Sequence, residues 1–230
     1  MTKELFSGKN ESKKDYFICS NSGKKDTMEY LACVGMCSSS LLSTPVSRYS
    51  STMPWHVSSM SKIMKEEIHD PKTIVDANAC VGNSALLLSA CYPRSRIVAI
   101  EIDEKTSDCM ERNIEKSGAE NIVTINDDCL TAIPLLGNID LLFFDPPWGG
   151  KNYYQYDKLD LFLSGQPIEQ IVKHCMDSGV ISTVVIKVPL NFNFGSFLKA
   201  LKGFRIKRRE VHSSPEKISF YLIFIRIGIK

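Results

Sequence analysis

The sequence predicts an α/β domain: a doubly wound, seven-stranded sheet, mostly parallel, with a C-terminal antiparallel hairpin. Three observations predict it. From residue 55 onward, short β-branched runs alternate with helical stretches. Acids stand just after strands, at Asp76, Glu101, Asp128 and Asp145. Two long strands end the chain, with only Ser213-Ser214-Pro215-Glu216-Lys217 between them.

The elements follow in order. Met60 to Ile68 is expected as a helix, and Thr73 to Ala77 as a buried parallel strand. Ser84 to Cys91 is an apolar helix, and Arg96 to Ile100 is the second strand. Glu104 to Ser117 is a polar helix that stops at Gly118, a natural residue for the position just past a helix end. Asn121 to Ile125 is the third strand, and Ile139 to Phe144 the fourth, running into Asp145. Ile168 to Asp177 is a helix ending near Gly179, and Val180 to Lys187 is the fifth strand. Phe197 to Leu201 continues a helix ending at Gly203; Phe204 to His212 and Ile218 to Ile227 pair as the hairpin. In a Rossmann-like sheet of this kind, ligands sit beyond the carboxyl ends of the strands.

A chain of 230 residues that is 43% hydrophobic fills one core. Residues 51–230 are read as that domain. Residues 1–50, rich in Ser, Lys and Asn, are read as an extension, partly disordered or packed on the core, with its first 14 residues a disordered tail. No apolar stretch has the length of a membrane span, and Met1 to Lys14 lacks the apolar region of a signal peptide. The expectation is an intracellular protein of nucleus or cytoplasm, monomeric by default, without a membrane partner. A net charge of +2 leaves nucleic-acid attraction to a local patch. Eight cysteines form no C-x-x-C pair, so reduced thiols and no metal site are expected.

The loop Asp76-Ala77-Asn78-Ala79-Cys80-Val81-Gly82-Asn83 lacks the G-x-G-x-x-G of a dinucleotide site. It offers an acid, small residues and one glycine. That suits a cofactor with an amino-acid tail better than a pyrophosphate, which wants bare amides. Glu101 is placed to take ribose hydroxyls, and Asp128 to accept from an adenine amino group.

Asp145-Pro146-Pro147-Trp148-Gly149-Gly150 is the most specific feature. An exocyclic base amine is a poor nucleophile because its lone pair delocalises into the ring. A carboxylate on Asp145 and the carbonyl of Pro146 can each accept one N–H and so favour tetrahedral nitrogen. Two prolines stiffen the loop and remove amide donors. Trp148 offers a flat face for a base. Positioning and electrostatics then do the catalysis, with no strong base required.

The ordered set of strand-end acid, small-residue loop, ribose acid, adenine acid and D-P-P-W resembles a class I S-adenosylmethionine-dependent methyltransferase. The resemblance implies S-adenosylmethionine as cofactor and S-adenosylhomocysteine as product. It places Asp76, Asn78, Ala79, Gly82 and Asn83 at the methionine part, Glu101 and Ile102 at the ribose, Asp128 and Cys129 at the adenine, and Asp145 at the junction with the substrate. Of the family's usual glycines only Gly82 is kept; Asn78 and Cys80 stand at the other small positions. Adenine-N6 RNA methyltransferases also carry D-P-P-W, but there it precedes the cofactor loop. The P-P-W-G-G order is similar to that of the trimethylguanosine synthases, which methylate guanine N2 of the RNA cap. The likeness runs from about residue 50 to 200 and includes Met53-Pro54, Val98 to Asp103 and Pro189-x-Asn191. It implies that Trp148 stacks on 7-methylguanine and that the partner is 5′-capped RNA. That family usually has Ser where Asp145 stands, so an adenine or another base amine stays open as acceptor. A methyltransferase fold serving only as an RNA-binding subunit stays open too.

Lys151 and Lys187 border the loop and are candidates for cap phosphates; Tyr153, Pro189 and Asn191 join Trp148 as substrate-side candidates. Tyr153, Tyr154 and Tyr156 either line the base pocket or pack a lid. Lys199, Lys202, Arg205, Lys207, Arg208 and Arg209 read as a basic run without an acid: either a solvated helix end and an edge strand protected by charge, or a track for an RNA backbone.

Overall fold

In the computed structural model, the described residues are 17–18, 41–44, 47 and 54–228. The tail expected over residues 1–14, the serine patches, Met53, Cys19, Cys33 and Cys37 lie outside them. Five parallel strands run from the middle of the sheet to one edge: β3 (Thr73–Asp76), β4 (Arg96–Glu101), β5 (Ile122–Asn126), β6 (Ile139–Phe144) and β9 (Ile181–Val188). The long hairpin of β10 (Phe204–Ser214) and β11 (Lys217–Ile227) joins β9 antiparallel. The order across the seven strands is β10-β11-β9-β6-β3-β4-β5. The chain starts at β3, winds outward to β5, then returns to β6 on the other side. Crevices open at such a reversal.

Strand periodicity divides the core. Ile74, Leu141, Phe143, Val185, Leu222 and Phe224 face one layer; Val75, Leu142, Phe144, Val184, Ile186, Ile223 and Ile225 face the other. The first layer holds α1 (Pro54–Glu67), α2 (Asn83–Cys91) and α3 (Glu104–Ser117), which supply Met60, Met64, Leu86, Leu88 and Met110. The second holds α4 (Cys129–Ala132), α5 (Ile168–Asp177) and α6 (Phe194–Ala200), which supply Cys129, Val172, Met176 and Phe197. Both faces are therefore covered, which is why the central strands read as unbroken apolar runs.

Four differences from the expected elements have physical reasons. Helix α1 starts at Pro54 instead of Met60, because proline is suited to a first helical turn. The turn formed by α4 and a 3-10 segment at Ile133–Leu135 is too short to show periodicity. The same holds for a 3-10 helix at Gly150–Gln155 and for the two-residue hairpin of β7 (Phe162–Leu163) and β8 (Gln166–Pro167). Before the main sheet, β1 (Phe17–Ile18) pairs with β2 (Leu42–Ser43). The buried Asn113 of α3 ties β2 down: its amide exchanges hydrogen bonds with the Leu42 backbone at 2.8 and 3.0 Å and also donates to the Val81 carbonyl at 2.9 Å.

Candidate active site

A cavity of about 460 Å³ opens at the carboxyl ends of β3, β4, β5 and β6. Asn78, Glu101, Ile102, Asp128, Cys129 and Asp145 line it, with Cys80, Asp103, Asp127, Pro147 and Ser164 among their neighbours. Each acid is fixed by local donors. Glu101 accepts the Cys80 and Asp103 amides, both at 3.0 Å. Burial pushes its carboxyl up, and those amides oppose the shift. Asp128 caps α4 through the Leu130 amide at 2.9 Å and takes the Ser164 hydroxyl at 2.8 Å. Ser164, from the β7–β8 turn, was not among the expected residues; its left-handed φ of 48° in Ser164-Gly165 is the kind of turn that carries it there.

Asp76, Ala79, Gly82 and Asn83 belong to the same strand-end loop but do not line this cavity. Gly82 has φ 93°, and a Cβ there would lie 3.3 Å from Met110 Cγ. Cys80 takes a left-handed φ of 52° without the freedom of glycine. Asp76 is fully buried, and its Oδ2 accepts the Ser84 hydroxyl at 2.6 Å. Burial pushes its carboxyl up to about 7. Asp76 Oδ1 and Asn78 Oδ1 are buried acceptors with no hydrogen-bond partner among the described residues. Two such acceptors call for a donor group.

The second half of the site surrounds Asp145-Pro146-Pro147-Trp148. Lys187, on the adjacent strand β9, donates to Asp145 Oδ2 at 2.6 Å. The two side chains are only 7% and 9% exposed, so this is a buried ion pair. Burial pushes the Asp145 carboxyl up, and Lys187 opposes the shift. Lys187 therefore does not reach outward toward phosphates as the sequence suggests. Its ammonium sits 5.4 Å from the Trp148 ring centre and 5.1 Å from that of Phe220. Trp148 meets Tyr153 edge to face at 5.2 Å and Phe220 at 6.2 Å. His56, from α1, meets Phe220 at 4.9 Å. Burial and then Lys187 lower its pKa to about 4, so it is neutral near pH 7.

Gly149 and Gly150 turn the chain with φ of 88° and 76°, leading into the 3-10 helix. Pro189 is buried. The Asn191 amide donates to the carbonyls of Tyr153 and Tyr156 at 2.8 and 2.7 Å, clamping that turn. Lys151, Tyr154 and Tyr156 are exposed. Phe220 and His56 are residues the sequence gives no motif for. The signal for Phe220 is hairpin length: Tyr221 pairs with Val188, the last residue of β9, so Lys217 to Phe220 project past the sheet end.

The basic run has acids after all. Lys207 pairs with Glu67 at 2.7 Å, and Arg209 bridges Glu66 and Glu67, so both bind β10 to α1. Arg208 lies 4.6 Å from the Tyr221 ring centre. Among the described residues no group of three or more His, Cys, Asp or Glu could hold a metal, and no helix is long and apolar enough to cross a membrane.

The family model for RNA cap guanine-N2 methyltransferase matches residues 72–223. The uncharacterized protein L320 of Acanthamoeba polyphaga mimivirus is 25% identical over 169 residues, covering 73% of this chain and 63% of that protein. The 25S rRNA (cytosine-C(5))-methyltransferase rcm1 of Schizosaccharomyces pombe is 32% identical over 81 residues, covering 34% of this chain and 18% of that one. The chain thus spans less than two thirds of either relative. Among solved structures, the precorrin-6y C5,15-methyltransferase of Geobacter metallireducens aligns with TM-score 0.60 at 16% identity, over 85% of this chain and 98% of that one. At that identity the likeness concerns the fold.

Proposed function

The chain belongs to the RNA cap guanine-N2 methyltransferase family, and from that premise we propose that it transfers a methyl group from S-adenosylmethionine to the exocyclic N2 amine of guanine in 5′-capped RNA. The carrying observation is the place of Asp145: it lines the cofactor cavity and begins the loop that holds Trp148. One residue thus joins the two halves of the cleft.

The residues present fit the cofactor. Asn78 lines the cavity and its Oδ1 has no hydrogen-bond partner among the described residues, so it suits the ammonium of the methionine part, with the buried carboxyl of Asp76 at the start of the same loop to balance the charge. Glu101 suits the ribose hydroxyls. Ile102, 63% exposed, offers an apolar face for the adenine beside Asp128 and Cys129. When bound, S-adenosylmethionine supplies an electrophilic methyl on a sulfonium.

Lys187 occupies Asp145 Oδ2, so Oδ1 is the oxygen that accepts an amine N–H. The Pro146 carbonyl accepts the other. Burial raises the Asp145 carboxyl and the Lys187 ammonium opposes that shift, so the ion pair favours the acceptor form of the carboxyl at this position. Trp148 stacks on the base. Preorganised acceptors of this kind lower a barrier by about 3–4 kcal/mol, judging by the loss of one oxyanion-hole donor elsewhere. A second reading, transfer to adenine N6, rests on Asp145 in place of the family's usual Ser.

Labelled methyl transfer to capped RNA, uncapped RNA and DNA separates the readings. The proposal predicts label in capped RNA. Good transfer to an adenine acceptor with none to the cap would sink it. Calorimetric absence of cofactor binding at millimolar concentration would favour a non-catalytic RNA-binding subunit.

A further inference from the structure

We infer that Tyr154 and Tyr156 form a stacking track for the single-stranded RNA that adjoins the acceptor nucleotide. The inference rests on the proposed reading of Asp145 to Gly150 as the acceptor loop. An aromatic chain leads out of that loop. Trp148 and Tyr153 have ring centres 5.2 Å apart, and Tyr153 and Tyr154 have theirs 6.1 Å apart. The chain runs from the half-buried Trp148 to Tyr154, which is 68% exposed; Tyr156 is 60% exposed.

Neither ring contributes to the core clusters, yet the backbone beneath them is fixed. The Asn191 amide holds the carbonyls of Tyr153 and Tyr156, so one side chain on the β9–α6 loop sets the shape of the whole turn. A rigid turn that presents tyrosines loses little entropy on binding, because each ring has only two side-chain torsions. Lys151 and Lys158 are exposed at the two ends of residues 151–158, with Asp157 between, so the segment carries one net positive charge. The two exposed rings are separated by Gln155, in a segment that begins at Lys151 and ends at Lys158. Discrete aromatic faces on a segment of net positive charge suit stacked bases better than they suit a protein partner, which covers a continuous apolar patch.

The test compares a short capped oligoribonucleotide with the cap dinucleotide, by fluorescence anisotropy and by kcat/KM for methyl transfer. Tyr154→Ala and Tyr156→Ala should each weaken the oligonucleotide about tenfold more than the dinucleotide, and the Tyr→Phe changes should restore most of that. Both tyrosines are exposed, so thermal melting of the variants should match the parent chain. Equal loss for both ligands, or loss for neither, overturns the track. The two proposals fail differently. Tyrosine-dependent oligonucleotide binding without methyl transfer sinks the guanine-N2 reading, whereas transfer that ignores both tyrosines sinks the track.

Discussion

The two halves of the cleft are built by opposite means. On the side proposed for the cofactor, each acid follows its own strand and is held by backbone amides or a nearby hydroxyl: Glu101 by Cys80 and Asp103, Asp128 by Leu130 and Ser164. On the acceptor side, Asp145 is held by a single side chain, Lys187, in a buried ion pair ringed by Trp148, Phe220 and His56. Those residues come from α1, the loop after β6, β9 and the C-terminal hairpin. Backbone donors tolerate sequence change. A side-chain ion pair does not, because removing one member leaves the other charged and dry.

The largest expected effect breaks that pair. Lys187→Met leaves Asp145, 9% exposed, without its cation; by the usual loss on removing one partner of a buried pair, urea unfolding should show a cost of about 3–5 kcal/mol. The double change Asp145→Asn with Lys187→Met should recover most of it. A single-variant cost below about 1 kcal/mol would mean the pair behaves as an exposed one. Next is Trp148→Ala, which should weaken RNA binding by about 1–3 kcal/mol and spare the cofactor. Equal loss of both in paired titrations would make Trp148 a packing residue.

The cofactor side should answer to pH instead. The carboxyl of Asp76, raised to about 7, is protonated below that pH and ionised above it. An ammonium needs the carboxylate, so cofactor affinity should fall as pH drops through about 7, approaching tenfold per unit. The stability of the unliganded protein runs the other way. In the folded state Asp76 holds its proton up to about 7, while in the unfolded chain it releases it near the ordinary carboxylate value. The raised pKa therefore favours folding at low pH and loses that contribution as pH rises through 7. Calorimetry from pH 6 to 8 with Asp76→Asn as the flat control decides the matter. The smallest effect is Cys80→Gly. It relieves a left-handed φ of 52°, against the added entropy of a glycine in the unfolded chain, for a net gain below about 1 kcal/mol.

The same contrast explains what the sequence discloses. The cofactor half is legible because strand, acid and helix follow one another along the chain, and Gly118 even marks where α3 ends. The acceptor half is legible only at Asp145 to Gly150. Lys187 reads as an outward cation, since nothing local shows that β9 lies beside β6 with Asp145 opposite. Asn191 reads as a substrate contact, whereas its amide clamps two tyrosine carbonyls. Lys207 and Arg209 read as free because Glu66 and Glu67 lie far back in the chain, on α1. Pairings across long sequence separations leave no periodic trace.

The central claim is that Asp145 and Trp148 present a guanine N2 amine for methylation. Its most direct measurement is mass spectrometry of the nucleosides released from a capped RNA after incubation with the protein and S-adenosylmethionine. The account predicts N2-methylated 7-methylguanosine from the cap, absent when Asp145 is replaced by alanine. N6-methyladenosine with an unchanged cap would contradict it.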